Sequence, residues 1–338
     1  MLDGIAAFAA GVINQEALDA LTAQAVRDTI QLLEKTGSPV ITDGEQSKPS
    51  FATYPVHGLP NLAPDGIQIQ FSDGHVRQLP RLTSGPFRYK IYAEHYLLEA
   101  KKYAQVPVKQ AVIAASALSL LYPQDGIADY PKEDFLQDLV NEAEADIRRC
   151  LDRGAHCVQV DFTEGRLSVK LDPSLNLLRD FIQLNNRVLE RFSAGERKKI
   201  GVHTCPGADK DSTHSADVDY AELLPDLFEL KAGNFYIALA SEKDRRRVLG
   251  IIKKYSKPEQ RIFIGVIDPI NPHIETPEQV KQQILEAAEF IPAERLGTTD
   301  DCGFSPFGDD TSRSRQIALE KITNRVLGTA LAAKALGL

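Results

Sequence analysis

Tryptophan, clusters of basic residues and long apolar runs are all missing from this chain of 338 residues. Asp and Glu (47) outnumber Lys and Arg (39), and the net charge of −8 argues against nucleic acid or an anionic membrane as a partner. The longest apolar stretches, residues 5–13 and 111–121, are too short to span a bilayer. Four cysteines without a framework pattern, and a start without a basic region or cleavage-like site, predict reduced thiols in the cytoplasm.

What the chain does contain is a regular alternation of short β-rich runs and helical stretches, with 43% hydrophobic residues. This pattern predicts one α/β domain over residues 1–338, and a (β/α)8 TIM barrel fits it best. The first strand of the barrel is not recognisable, and it is expected before residue 14 or is absent. Two β-rich runs around Ser72-Asp73-Gly74 predict a hairpin excursion near residues 66–80. The seven predicted barrel strands are residues 39–42, 112–119, 157–160, 199–202, 234–240, 261–267 and 295–298.

Polar side chains recur where these predicted strands end, which is where such barrels carry their chemistry. An Asp after a strand is more commonly a turn former or a helix cap, so each position alone is ambiguous. Six such ends on one rim together favour an active site. They carry Asp43 and Glu45, Ser116 and Ser119, Asp161 and Glu164, His203 and Cys205, Asp268, and residues 300–302.

The segment His203-Thr204-Cys205, with Cys302 at a later strand end, is the most informative of these features. Residues i and i+2 of a strand point to the same face, so one ion could contact both His203 and Cys205. An imidazole and two thiolates suit Zn²⁺, and three protein ligands leave a coordination position for a substrate. The alternative is a partly buried histidine and two unrelated core cysteines, because free cysteine is often buried.

Four segments together resemble one protein family. The chain resembles the catalytic barrel of cobalamin-independent methionine synthase, and more closely the short single-domain relatives within the uroporphyrinogen decarboxylase/methionine synthase superfamily. The resemblance covers nearly the whole chain from about residue 10 onward, and the His-x-Cys with a late Asp-Cys-Gly is its most specific part. The matching segments are Ile41-Thr42-Asp43-Gly44-Glu45-Gln46, Val158-Gln159-Val160-Asp161, His203-Thr204-Cys205 and Asp301-Cys302-Gly303.

The resemblance implies a zinc site and a binding site for an amino-acid thiol. His203, Cys205 and Cys302 match three zinc ligands of the family, in which zinc binds the substrate thiol as a thiolate that attacks a methyl group. Glu45 and Asp161 match the two carboxylates that hold the ammonium of homocysteine. Neither has an evident cationic partner in its own segment, and a ligand ammonium would fill that role. Glu164, at the same strand end as Asp161, is predicted to bind substrate as well.

One departure from the family affects the metal site. The usual fourth ligand is a glutamate on the strand between His-x-Cys and the second cysteine, and Ala238 stands at the matching position. Alanine cannot ligate a metal. Glu242, four residues further on, is a candidate replacement, and the alternative for Glu242 is a solvated loop charge. Three protein ligands remain compatible with zinc plus water or a substrate thiolate.

Three further departures concern the methyl donor. The family's proton-transferring histidine falls at Ile270, and His273 is the nearest candidate for that catalytic role. The tryptophan on which the family stacks the pterin of methyl-folate has no counterpart, and the glycine- and serine-rich first strand is absent. The part of the site that would activate the thiol therefore resembles the family, whereas the part that would bind the methyl donor differs.

Three functions follow from these observations. The first is a zinc-dependent thiol methyl- or alkyltransferase that acts on homocysteine or a related small thiol, with an unidentified methyl donor. The second is a metal-free lyase that resembles uroporphyrinogen decarboxylase. That chemistry needs no thiolates, and an arginine-rich carboxylate cradle is not evident, with Arg166 the only candidate in a strand-end loop. The third, motivated by Ala238, is a non-catalytic barrel. The sequence leaves the donor, the thiol and the oligomeric state open.

Overall fold

The structure, a computed structural model, describes residues 2–338. Its central element is a parallel sheet of seven strands around which most of the helices pack. Four short strands outside this sheet form two antiparallel pairs. The strands are β1 Ile41–Thr42, β2 Leu62–Ala63, β3 Gln68–Gln70, β4 Val76–Gln78, β5 Arg81–Leu82, β6 Val108–Ile113, β7 Val158–Asp161, β8 Ile200–Thr204, β9 Asn234–Ile237, β10 Arg261–Ile267 and β11 Leu296–Asp300.

The helices begin at recognisable capping residues. The Asn14 side chain accepts a hydrogen bond from the N–H of Ala17 at the start of α2, and Thr276 and Gln279 form a capping box at the start of α11. Short 3-10 helices cover Tyr54–Val56 and Ala293–Arg295. The α-helices are α1 Leu2–Ala9, α2 Gln15–Lys35, α3 Glu94–Lys101, α4 Ala115–Ser119, α5 Lys132–Asp152, α6 Glu164–Leu171, α7 Asn176–Leu189, α8 Ala194–Arg197, α9 Tyr220–Leu227, α10 Arg245–Tyr255, α11 Pro277–Ala288 and α12 Arg315–Leu336.

The sheet has the strand order β1-β6-β7-β8-β9-β10-β11, with every neighbouring pair parallel. This order is that of a TIM-type barrel with seven of its eight strands, as predicted. Within residues 2–338 no strand lies between β11 and β1, and the segment before residue 14 contains α1 rather than the strand expected there. The barrel is therefore open along one seam.

The predicted strand at residues 112–119 differs most from the structure. The run assigned to residues 112–119 divides into β6, which ends at Ile113, and α4, which begins at Ala115. The parallel ladder pairs Ile113 with Asp161 and ends there, since β7 also ends at Asp161. Alanine, serine and leucine after that point have adequate helix propensity, so the chain turns into a helix. Ser116 and Ser119 consequently lie on a helix above the strand end.

Burial differs between the middle and the edge of the sheet. Every residue of β8 and β9 is buried, as expected for a parallel strand covered on both faces, whereas all five residues of β11 are partly exposed. The side of β11 without a neighbouring strand faces the seam. No helix within residues 2–338 has the length and apolar character required to cross a membrane.

An antiparallel hairpin, β3 with β4, projects from the barrel in the region where a hairpin was predicted. It is attached to the loop that follows β8. Asp209 of that loop is buried and accepts hydrogen bonds from His75 Nε2 at 2.9 Å and from Arg77 Nη2 at 2.9 Å. The N–H of Ser72 also donates to the carbonyl of Thr213 at 2.9 Å. The hairpin therefore holds the loop after β8 in a defined conformation.

Candidate metal centre

The end of β8 carries the first two donors. His203 is in the strand and pairs in register with Asp161 of β7, and Cys205 follows directly after the strand. Both side chains are buried, and a ring nitrogen of His203 lies within 4.8 Å of the sulfur of Cys205. The strand therefore presents His203 and Cys205 to a common side, as the i, i+2 spacing predicts.

Cys302 follows β11 and completes a group of three. Its Sγ lies 3.2 Å from Cys205 Sγ, and one ligand atom from each of His203, Cys205 and Cys302 lies within 4.8 Å of the others. All four cysteines of the chain are free thiols. The structure thus brings together the three residues that the sequence predicts as ligands, and a His/Cys/Cys donor set of this size can hold a metal ion.

Asp301, beside Cys302, fixes the position of this third donor. Its carboxylate accepts hydrogen bonds from the N–H groups of Leu239 at 2.7 Å, Ala240 at 2.9 Å and Ser241 at 2.9 Å. A Cβ at Gly265 would overlap Asp301 Oδ1, so this close approach requires glycine there. Sequence reasoning placed Asp301 on the rim but did not predict that it anchors the loop after β9.

The three donors influence one another's protonation. The hydrogen bond from Cys302 and the charge of His203 hold the pKa of Cys205 well below its usual value, although burial opposes this effect. The same contact with Cys205 raises the pKa of Cys302. Burial lowers the pKa of His203, but Cys205 and Asp161 outweigh burial and raise it. A thiolate is therefore favoured at Cys205, the form that binds metal.

Neither of the two positions after β9 that were considered for a fourth ligand, Ala238 and Glu242, belongs to the group of three donors. Ala238 is buried just beyond β9 and has no donor atom. Glu242 lies outside the cluster of donors, and its carboxylate is 2.9 Å from Nη1 of the buried Arg166. The structure therefore uses Glu242 in an ion pair, which is neither the ligand nor the solvated charge considered from the sequence.

Glu45 has a cationic partner in its own segment, contrary to the expectation from the sequence. Its carboxylate lies 2.8 Å from Nζ of Lys48, whose side chain is only 1% exposed. Lys48 also donates to the carbonyl of Ala111 at 2.9 Å, and its Nζ lies 4.7 Å from the centre of the Tyr54 ring. The expectation that Glu45 has no cationic partner was wrong, because the chain turns back at Glu45, whose φ is 53°, and this turn brings Lys48 against it.

Asp161 is the second predicted amine-binding carboxylate. It is buried at the end of β7, and its Oδ1 accepts a hydrogen bond from Gln159 Nε2 at 2.7 Å. Burial raises its pKa to about 6, His203 and Lys48 lower the pKa, and Glu45 raises it. His203 is the partner of Asp161 in register, and the charges of Lys48 and Glu45 act on the same carboxyl group.

Glu164, the third predicted substrate residue, is the first residue of α6 and is buried. It accepts a hydrogen bond from the Ser116 hydroxyl, which in turn accepts one from Asn185 Nδ2 at 2.7 Å. Its other oxygen is buried without a hydrogen-bond partner among the described residues. Burial raises the pKa of Glu164 to about 8, so the carboxyl group is mostly neutral at pH 7.

The structure does not bring His273 to this group. Its side chain is exposed, and Nε2 lies 3.2 Å from Oε1 of Gln279 at the start of α11. Asp268, at the end of β10, accepts a hydrogen bond from the N–H of Ile270 at 3.0 Å. Residues 268–273 therefore form a turn stabilised by its own side chains, the alternative role noted for an Asp after a strand.

A histidine that sequence reasoning did not single out lies beside the cluster. His214 is buried and follows Cys205 by nine residues in a loop whose ends are close together. It lies outside the regular spacing of strand ends, so no pattern in the sequence indicated it. Only the folding of this loop places it near the donors.

A barrel with a His/Cys/Cys donor group on the carboxyl rim of its sheet defines a class of candidate metal-binding barrel proteins. Residues 6–326 match the family described as cobalamin-independent synthase, catalytic domain, and the chain belongs to this family. The resemblance stated from the four sequence segments is thereby confirmed.

Two relatives and one solved structure illustrate the similarity. The methionine synthase of Sulfolobus acidocaldarius is 24% identical over 323 residues, which are 95% of this chain and 84% of that protein. The methionine synthase of Saccharolobus solfataricus is 26% identical over 200 residues, 59% of this chain and 51% of that protein. The structure of a B12-independent methionine synthase from Shewanella sp. W3-18-1 in complex with selenomethionine superposes with a TM-score of 0.77 at 18% identity, covering 96% of this chain and 91% of that one. The last similarity shows a common fold.

Proposed function

We propose that the protein is a zinc-dependent thiol S-methyltransferase of the methionine synthase type, acting on homocysteine or a related small thiol. The observation that carries the proposal is the convergence of His203, Cys205 and Cys302, whose donor atoms lie within 4.8 Å of one another at the carboxyl rim of the sheet. Membership in the cobalamin-independent synthase family and the names of the relatives support it.

The donor group fits zinc in type and size. Zinc takes imidazole nitrogen and thiolate sulfur in a tetrahedral arrangement. Bound there, the ion would supply deprotonation of the substrate thiol, whose ordinary pKa of about 8.5 leaves it mostly protonated at pH 7. His203, Cys205 and Cys302 would hold the ion, and Asp301 would hold Cys302 in position through the loop after β9.

The carboxylates of the rim suit an amino-acid substrate. Asp161 is the residue next to His203 in register, so a thiol bound at the metal would place its ammonium group within reach of Asp161. Glu45 contributes more weakly to binding, because Lys48 already neutralises it. Glu164, neutral at pH 7, acts as a hydrogen-bond donor to the substrate rather than as a charged group.

The methyl donor differs from methyl-folate. A pterin gains from stacking on a large aromatic ring, and the chain has no tryptophan. Tyr122, which follows the predicted strand at residues 112–119, is the candidate for a smaller replacement of that ring. Its ring already stacks on Phe135 with ring centres 5.1 Å apart, and its hydroxyl donates to the carbonyl of Tyr130. The exposed His273 cannot protonate a leaving group beside the cluster. A donor whose leaving group needs no proton, such as methylcobalamin or a sulfonium, suits this site better.

No observation favours the metal-free lyase. Arg166, the candidate for a carboxylate cradle, is paired with Glu242 and donates to the carbonyl of Val218 at 2.7 Å, so its guanidinium is engaged within the protein. The proposed setting is a reducing compartment such as the cytoplasm, since all four cysteines are free and two of them are the proposed ligands.

The proposal is tested by metal analysis followed by transfer assays. The purified protein is expected to contain about one zinc per chain, and the zinc-loaded protein is expected to form methionine from homocysteine with at least one activated methyl donor. Removal of zinc with a chelator should abolish the transfer, and added Zn²⁺ should restore it. Protein that binds no zinc, or that transfers equally well without it, would contradict the proposal.

A further inference from the structure

The metal group described above lacks a fourth protein donor, and one buried imidazole in its neighbourhood has no assigned role. Of the seven histidines in the chain, all within the described residues, only His203 and His214 are buried. The Nδ1 atom of His214 is buried without a hydrogen-bond partner among residues 2–338. A buried polar atom without a partner costs free energy, so an unpaired ring nitrogen indicates a missing partner.

The position of His214 relative to Cys205 is defined through Gly207. Gly207 follows Cys205 by two residues, in the same loop as His214. A Cβ on Gly207 would overlap Cδ2 and Nε2 of His214, so the imidazole lies directly against the α-carbon of Gly207. The ring of His214 therefore packs against the residue two positions after one predicted ligand. The φ of 75° at Gly207 and the absence of a side chain allow this close approach.

The loop that carries His214 is closed on itself and well supported. The N–H groups of His214 and Ser215 both donate to the carbonyl of Pro206 at 3.1 Å, next to Cys205. The ring of His214 packs edge-on against Phe71 of the hairpin, with ring centres 5.5 Å apart. These contacts keep the imidazole buried in the loop that follows Cys205 instead of allowing it to turn to solvent.

We propose that His214 is the fourth protein ligand of the resting metal site, in the place left by Ala238. This inference rests on the proposed zinc-binding function. The nitrogens of His214 are outside the group whose atoms all lie within 4.8 Å, so ligation requires a rotation of the ring or a small movement of residues 206–215. The resting site is then of the Cys₂His₂ type, and His214 is the ligand that an incoming thiolate replaces.

The test is X-ray absorption spectroscopy at the zinc edge on the full-length protein loaded with one Zn²⁺. The wild type is expected to show two sulfur and two imidazole ligands. His214→Gln is expected to show two sulfurs, one imidazole and one lighter oxygen or nitrogen ligand, and its Kd for Zn²⁺, measured by competition with a chelator, should rise at least about tenfold. Addition of homocysteine to the wild type should reduce the imidazole number from two to one and add a third sulfur.

Two further variants keep the test decisive. His214→Cys, which offers a thiolate from the same loop, is expected to restore tight binding with three sulfurs and one imidazole. His57→Gln, a change at an exposed histidine, is the matched control and should leave both the spectrum and the Kd unchanged. Stoichiometric zinc with a single imidazole in the wild type would overturn the role of His214 and leave the proposed function standing. Absence of zinc binding would overturn both.

Discussion

Two strand ends on the same rim, those of β8 and β10, carry polar residues in similar positions and use them differently. At β8, His203 and Cys205 are buried, lie against each other and meet Cys302 from a neighbouring part of the rim. At β10, Asp268 accepts backbone hydrogen bonds from its own turn, and His273 is exposed. Local partners satisfy the polar groups after β10, whereas the donors after β8 are left to bind one another or a ligand. That difference separates a candidate site from a turn.

The largest expected effect tests the group of metal-binding donors at the end of β8. Cys302→Ala removes one of the two thiolates, and zinc content is expected to fall from about one per chain to near zero, because the thiolates are the charged ligands of the ion. Metal analysis after dialysis measures this. Cys157→Ala, a buried cysteine outside the donor group, is the control and should retain its zinc. Near-stoichiometric zinc in Cys302→Ala would show that the site has been wrongly assigned.

The next effect concerns the residues after β10, where a histidine such as His273 would activate the methyl donor. With zinc and homocysteine supplied, methyl-folate is expected to react roughly 10²–10⁴-fold more slowly than an activated donor such as methylcobalamin, since general acid help to the leaving group is missing. Methionine formation with each donor in turn is the measurement. His273→Gln should change neither rate. Turnover from methyl-folate on the order of 1 s⁻¹, an ordinary enzymatic rate, would restore the plain methionine synthase assignment.

A smaller effect tests the carboxylates next to the cluster. Asp161→Asn is expected to weaken homocysteine binding by about 1.5–3 kcal/mol, roughly 10- to 150-fold, because one charge-assisted contact with the ammonium is lost. Glu45→Gln should cost less, since Lys48 already pairs with Glu45. Titration calorimetry with homocysteine measures the loss of affinity in Asp161→Asn and in Glu45→Gln. The same titration with a thiol that lacks the amine shows whether that loss depends on the ammonium group. Equal affinity of Asp161→Asn and the wild type for homocysteine would exclude Asp161 as the amine-binding group.

The last effect is a pH dependence of stability from Glu164. Its folded pKa of about 8 is above the value of the unfolded chain, so the folded state keeps a proton that the unfolded state loses. The associated stability is fully present below pH ~4.5, the ordinary value, and is lost as pH rises to about 8, with a slope of at most about 1.4 kcal/mol per pH unit. Glu164→Gln should therefore become more stable relative to the wild type as pH rises from 6 to 8.

Urea unfolding at pH 6 and pH 8 measures this difference. Glu320→Gln, at an exposed position of α12, serves as the control and should follow the wild type at both values. If Glu164→Gln and the wild type lose stability in parallel over this range, Glu164 is ionised in the folded protein. Its assignment as a neutral hydrogen-bond donor would then fail.

The sequence was sufficient to predict the order of the strands and the edge of the sheet that carries the polar residues. The alternation of strands and helices predicted seven parallel strands in chain order, and the positions of the polar residues after those strands predicted the rim. Boundaries were less well predicted, as at β6, because the end of that strand depends on the length of its neighbour β7. The His-x-Cys spacing and the late cysteine predicted that three side chains meet at the rim, and their ligand atoms do lie within 4.8 Å of one another, since strand geometry places i and i+2 on one face.

The partners of the charged groups could be decided only by the tertiary structure. Lys48 pairs with Glu45, Arg166 with Glu242, and His214 lies against Gly207, and these contacts depend on where turns and loops return to the rim. The sequence by itself determined the order of the strands and the donors they carry, because hydrophobic periodicity and side-chain alternation are local properties. Which donors remain unpaired was decided by folding, because pairing and burial arise between segments far apart in the chain.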